Sequence, residues 1–103
     1  MGAQHPVGVD VTHESPGWSV VVTAGAARSL DRLPEKNAAA IVEFVSGALM
    51  ANRLRLSKPL RYELEGWRTA RRGDYRVTFR LDEELHIIGV GRIEHRRDVY
   101  RPR

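Results

Sequence analysis

The sequence predicts an α+β domain of order β-α-α-β-β-β, a helical hairpin packed on a small antiparallel sheet. Two patterns carry this expectation. In the first half, apolar residues recur at helical spacing: Ala38, Ile41, Val42, Val45 and Leu49. In the second half the period drops to two, with Tyr75, Val77, Phe79 and Leu81 alternating with Arg76, Thr78, Arg80 and Asp82. Helices that precede a run of strands, rather than alternate with them, mark the α+β class. The 103 residues suit one domain. Its expected extent is 18–103, after a disordered arm over 1–17.

The arm, MGAQHPVGVDVTHESPG, combines Pro and Gly with no sustained periodicity. Its histidines, His5 and His13, read as solvent-exposed. Trp18 to Thr23 is short, β-branched and aromatic, so a first strand is expected there. Thr23 can then cap a helix through its hydroxyl. Ala27, Leu30 and Leu33 share one face of that helix. Pro34 suits the first turn of a second helix, which stops near Asn52. Gly66 to Arg72 reads as a strand closed by Gly73-Asp74. The period-two strand follows and turns at Asp82-Glu83-Glu84. Leu85 to Ile93 returns as a strand whose Ile87, Ile88 and Val90 suggest burial on both faces. Gly89-x-Gly91 lies inside that strand, where a bulge or close packing explains it better than a nucleotide loop.

Composition narrows the function classes. The chain has no Cys, which excludes a disulfide framework and a Cys-based zinc site. No run of about 18 apolar residues is present, so no membrane-spanning helix is expected. The N-terminus lacks the pattern of a signal peptide, and a cytoplasmic location is expected. Residues 1–52 carry 3 basic and 5 acidic side chains, and residues 53–103 carry 14 and 8. A basic half of this kind suits a polyanionic partner such as nucleic acid. A GC-rich coding sequence also enriches Arg, so charge alone leaves both readings open.

Topology sharpens the choice. Arg76, Thr78 and Arg80 project from one face of their strand, and Arg71 or Arg72 lies across the Gly73-Asp74 turn from Arg76. His95, Arg96, Arg97 and Tyr100 follow the last strand near the same end. One surface is therefore expected to gather guanidinium groups, an imidazole and a phenol. Metal-free RNA cleavage needs such a set: a guanidinium fork for the phosphate, a proton carrier, and an aromatic group that stacks or donates. Each residue also has a plainer reading. Arg76 can keep a sheet edge soluble, His95 can be an ordinary exposed histidine, and Tyr100 can cover the sheet edge. Trp67 reads as a core or rim aromatic and Asp82-Glu83-Glu84 as a solvated turn. No HExxH or carboxylate cluster with ligand spacing occurs, so neither metal nor cofactor is expected.

Four stretches occur in order: Lys58-Pro59-Leu60, Leu64-Glu65-Gly66, Arg71-Arg72-Gly73-Asp74-Tyr75-Arg76-Val77 and His95-Arg96-Arg97-Asp98-Val99-Tyr100. With these the chain strongly resembles the RelE/ParE superfamily of bacterial toxins, the RelE branch in particular, from about Trp18 to Tyr100. The resemblance implies the RelE-like fold and the toxin of a type II toxin–antitoxin pair. It further implies a ribosome-dependent mRNA endoribonuclease in which the 2′-oxygen attacks the adjacent phosphate without a metal. By the same resemblance Arg76 holds the scissile phosphate, Arg71 supports it, His95 transfers a proton, and Tyr100 stacks or donates one. Lys58, Arg68, Arg72, Arg80, Arg96 and Arg97 are the accompanying RNA-binding cations. The best-known RelE branch carries two lysines where this chain has Trp67 and Thr69. The partners implied are a RelB-like antitoxin, the ribosome and mRNA, with the toxin alone a monomer that assembles further through its antitoxin. Two other functions are compatible with this superfamily: a ParE-like inhibitor of DNA gyrase, and an inactive antitoxin-binding relative.

Overall fold

The computed structural model describes residues 9–10 and 17–96. Val9–Asp10 form a two-residue strand, β1, inside the segment expected to be an arm. It pairs antiparallel with β2, Ser19–Val22. Val20 and Val22 of β2 point into the core, and the intervening residues are half-buried. Thr23 then starts helix α1, Ala24–Arg32, its Oγ1 accepting a hydrogen bond from the Ala26 N–H at 3.2 Å. The same hydroxyl donates to the Gly91 carbonyl at 3.3 Å, so one side chain ties the helix start to a distant strand.

Pro34 precedes helix α2, Glu35–Phe44, whose first-turn Glu35 complements the helix dipole. Its axis continues through a π-helical turn at Val45–Leu49. Ser46 Oγ donates to the Val42 carbonyl at 2.8 Å at that point, a back-bond of the type that distorts helices. The widened turn keeps Ile41, Val45, Leu49 and Met50 all facing the sheet. No helix among the described residues is long and apolar enough to cross a membrane.

Four strands follow the helices. They are β3 (Ser57–Pro59), β4 (Arg68–Arg72), β5 (Tyr75–Asp82) and β6 (Ile87–His95). The sheet has six strands in the order β1-β2-β6-β5-β4-β3. This is the expected α+β class, with three differences in detail besides β1. The sheet is mixed, because β2 runs parallel to β6 while the other pairs are antiparallel. A parallel neighbour needs a long crossover, and the helices with the strands after them supply it. Next, β3 was not anticipated, since three residues ending in Pro give no period; Pro59 is tolerated because the strand lies at the sheet edge.

The third difference concerns β6. It is central, as expected, but its buried residues Ile88, Val90 and Ile93 all face the helices, and Ile87 is only half-buried. Among the described residues, α1 and α2 pack on one face of the sheet and neither lies on the other. Between Thr78 and Phe79 the pairing with β6 slips: Thr78 faces Arg92 while Phe79 faces Val90, which leaves Gly91 as the extra residue of a β-bulge. A Cβ on Gly91 would lie 2.7 Å from the Trp67 ring, so the bulge and the tight packing occur together. The β5–β6 turn starts with Asp82, whose Oδ1 accepts from the backbone N–H groups of Glu84 and Leu85.

Phe79, Ile41, Leu49, Met50, Ile88, Val20, Val77 and Val90 fill the layer between helices and sheet, all fully buried. Each such side chain contributes about 1.5–3 kcal/mol by leaving water.

Candidate nucleic-acid interface

The face of the sheet turned away from the helices is built by alternation. Val77 and Phe79 of β5 point to the helices, so Arg76, Thr78 and Arg80 point away. The register then fixes cross-strand rows. Arg71 of β4 lies directly across from Arg76, and Arg76 lies across from Glu94 of β6. The next row is Lys58, Thr69, Thr78 and Arg92. Beyond it, the Arg80 guanidinium carbon sits 4.8 Å from the centroid of the Trp67 ring, which covers Gly91.

Charge makes this face unusual. Lys58, Arg71, Arg80 and Arg92 are exposed and Arg76 is half-buried. Like charges directly opposite each other on a sheet destabilise it, and directly paired side chains stand about 4.5–5.5 Å apart at Cβ. The Arg71–Arg76 pair therefore costs stability unless an anion lies between them. Two guanidinium forks side by side match a phosphate, which accepts two parallel hydrogen bonds from each. Glu94, the cross-strand neighbour of Arg76, is 31% exposed, with Oε2 3.8 Å from Nη1 of Arg92, which is 64% exposed.

The expected convergence with His95 does not occur. His95 pairs with Tyr75, and both lie on the helix-covered side. Tyr75 OH accepts a hydrogen bond from Asn37 Nδ2 of α2 at 3.2 Å, and its ring meets His95 edge-on at 5.1 Å. These residues and Arg72 line a cleft of about 220 Å³ beneath the β4–β5 turn. The cause is the bulge. Counting simple alternation onward from Ile88 and Val90 would turn His95 to the open face; the extra residue at Gly91 turns His95 inward and Glu94 outward.

Other expected cations divide in the same way. Lys58, Arg71, Arg76 and Arg80 are on the open face, as above. Arg72 shares the cleft with His95. Arg68 is a structural residue: its Nε donates to Ser57 Oγ at 2.7 Å and its Nη2 reaches the Leu54 and Ser57 carbonyls. Those bonds hold it toward the helix end, apart from Arg71, Arg76 and Arg80. Arg96 leaves the end of β6, its N–H donating to the Asp74 carbonyl at 2.6 Å. Arg97 and Tyr100 lie outside the described residues.

Trp67 and Thr69 occupy the positions where two lysines were implied by resemblance. Lys58 and Arg92 restore cations to the Thr69 row from the neighbouring strands. Sequence reasoning missed Arg92 and Glu94, because the bulge hides their alternation with the apolar residues of β6. Among the described residues no group of three or more His, Asp or Glu side chains is placed to hold a metal ion.

Fold and face together define a class: a small two-layer α+β domain whose sheet face turned away from the helices gathers Lys58, Arg71, Arg76, Arg80 and Arg92. Residues 20–100 match the family model described as the ParE toxin of type II toxin–antitoxin systems. The chain is 54% identical over 84 residues to Toxin RelE of Mycobacterium tuberculosis, covering 82% of this chain and 87% of that one. It is 45% identical over 84 residues to Toxin RelG of the same organism, with 82% and 97% covered. The crystal structure of the RelBE2 toxin–antitoxin complex from M. tuberculosis superimposes with a TM-score of 0.74 at 44% identity, over 78% of this chain and 92% of that one. The chain belongs to the RelE/ParE superfamily and is a toxin of a type II toxin–antitoxin system.

Proposed function

We propose that this toxin arrests translation as a ribosome-dependent endoribonuclease acting on mRNA. The single observation that carries the reading is the Arg71–Arg76 pair at the head of the cationic face turned away from the helices. In the reaction proposed, the 2′-oxygen attacks the adjacent phosphorus, the 2′-hydroxyl proton is lost, and the bond to the 5′-oxygen breaks. The products are a 2′,3′-cyclic phosphate and a 5′-hydroxyl that gains a proton. Arg76 and Arg71 stabilise the extra negative charge on the phosphate oxygens as it develops, which is where fixed donors act most strongly. The reaction as written calls on no metal or cofactor. Lys58, Arg80 and Arg92 hold neighbouring phosphates and contribute the salt-dependent part of binding.

The partner that silences this site is a RelB-like antitoxin whose acidic segment covers the basic face and folds on binding. The similarity to the toxin of the RelBE2 complex supports this. Toxin alone is a monomer in the cytoplasm, and larger assemblies form through the antitoxin.

The matched family model is described by ParE, which gives a second reading, inhibition of DNA gyrase. Induction of the toxin separates them. Loss of protein synthesis, with new mRNA 5′ ends inside coding regions that vanish in Arg76→Ala, is the expected result. Intact mRNA accompanied by a DNA-damage response would assign the chain to gyrase.

A further inference from the structure

We propose that Glu94 is the general base of the cleavage reaction, accepting the proton of the attacking 2′-hydroxyl. The inference rests on the nuclease reading above and adds a residue that neither composition nor motif pointed to.

A phosphate held by Arg71 and Arg76 needs a proton acceptor on the same side of the sheet. Arg cannot serve, since it stays protonated. His95 faces the opposite side, against Tyr75. Thr69 and Thr78 offer only hydroxyls. Asp82 shares the open face but stands at the far end of β5, where its Oδ1 holds the turn. Glu94 is the immediate cross-strand neighbour of Arg76. Directly paired residues in an antiparallel ladder are about 4.5–5.5 Å apart at Cα, so a carboxylate there reaches a ligand bound to the Arg76 guanidinium.

A purely structural role is small: as an opposite-charge neighbour of Arg76, Glu94 adds only a minor cross-strand stabilisation to the sheet. The contact between Glu94 and Arg92 is long at 3.8 Å, and Arg92 is 64% exposed. Exposed pairs of this kind contribute little to stability. On a face selected for a polyanion, a carboxylate beside the phosphate clamp repels the ligand. Its presence is accounted for if it takes a proton there.

Single-turnover cleavage of ribosome-bound mRNA by purified toxin tests this. Glu94→Gln should slow cleavage by roughly 100- to 1,000-fold. Ribosome affinity should be unchanged or tighter, since a negative charge is lost. Glu94→Ala should regain rate with added formate, against chloride at equal ionic strength, because a diffusible carboxylate can replace the missing base. Glu94→Gln should cost at least ten times more rate than His95→Ala. Cleavage by Glu94→Gln within a few-fold of wild type would overturn the inference, as would a loss explained by weaker ribosome binding or an absence of formate rescue. If the wild-type toxin cleaves no mRNA, the nuclease reading itself fails, a result separable from any effect at Glu94.

Discussion

The two faces of one sheet are made by the same strands and follow opposite rules. On the helix side, Val77, Phe79, Ile88, Val90 and Ile93 pack into a dry layer in which every side chain adds stability. On the other side, the alternating residues put Arg71 against Arg76 and crowd Lys58, Arg80 and Arg92 beside them. Folding gains little from that arrangement beyond the Arg76–Glu94 pair. With the function proposed above, stability and activity are separated by a side-chain period of two: adjacent residues of β5 serve different ends. Substitution on one face should unfold the protein, and on the other should disarm a folded one.

Paired substitutions in β5 give the largest effects and can break this division. Phe79→Ala removes the largest fully buried side chain and should cost about 3–5 kcal/mol, read as a lower denaturant midpoint. Arg76→Ala, three residues away, should leave that midpoint unchanged or raised and lower mRNA cleavage by about 100- to 1,000-fold. If Arg76→Ala unfolds as readily as Phe79→Ala, the faces are not separable. A smaller effect is expected at Gly91, which belongs to both sides through the bulge. Gly91→Ala drives a methyl group into the Trp67 ring and should destabilise by about 1–3 kcal/mol, with part of the activity lost as the Trp67–Arg80 end of the open face shifts. Thr23→Ala should cost about 1 kcal/mol through the lost helix cap, with cleavage retained.

Much of the fold was legible in the sequence because its signals are local and periodic. The helical spacing from Ala38 to Leu49, the cap at Thr23 and the alternation of Tyr75 to Asp82 each reflect a constraint within about ten residues. What escaped was decided at longer range. The parallel placement of β2 beside β6 depends on how the helical crossover returns, and β3 is held by pairing rather than propensity. For the site, Arg71 and Arg76 were legible because a two-residue turn fixes their pairing. His95 and Glu94 were not. The parity of β6 depends on one irregular residue, Gly91, and the sequence suggested a bulge there without saying which neighbours it would turn around. The placement of Arg68 escaped for a similar reason: Arg looks alike in sequence whether it lies on the open face or bonds to Ser57.

The bulge at Gly91 has a consequence for how such a scaffold diversifies. Glu94 and His95 are neighbours in sequence and lie on opposite sides of the sheet. Deleting Gly91 would leave a regular ladder with every partner and facing unchanged, so length is not what sets the choice. What sets it is whether Gly91 is left out of the pairing or taken into it. Pairing the same residues without a bulge would turn His95 outward and Glu94 inward. A slip of the ladder by one position, with no residue gained or lost, thus exchanges a carboxylate for an imidazole beside the arginine pair.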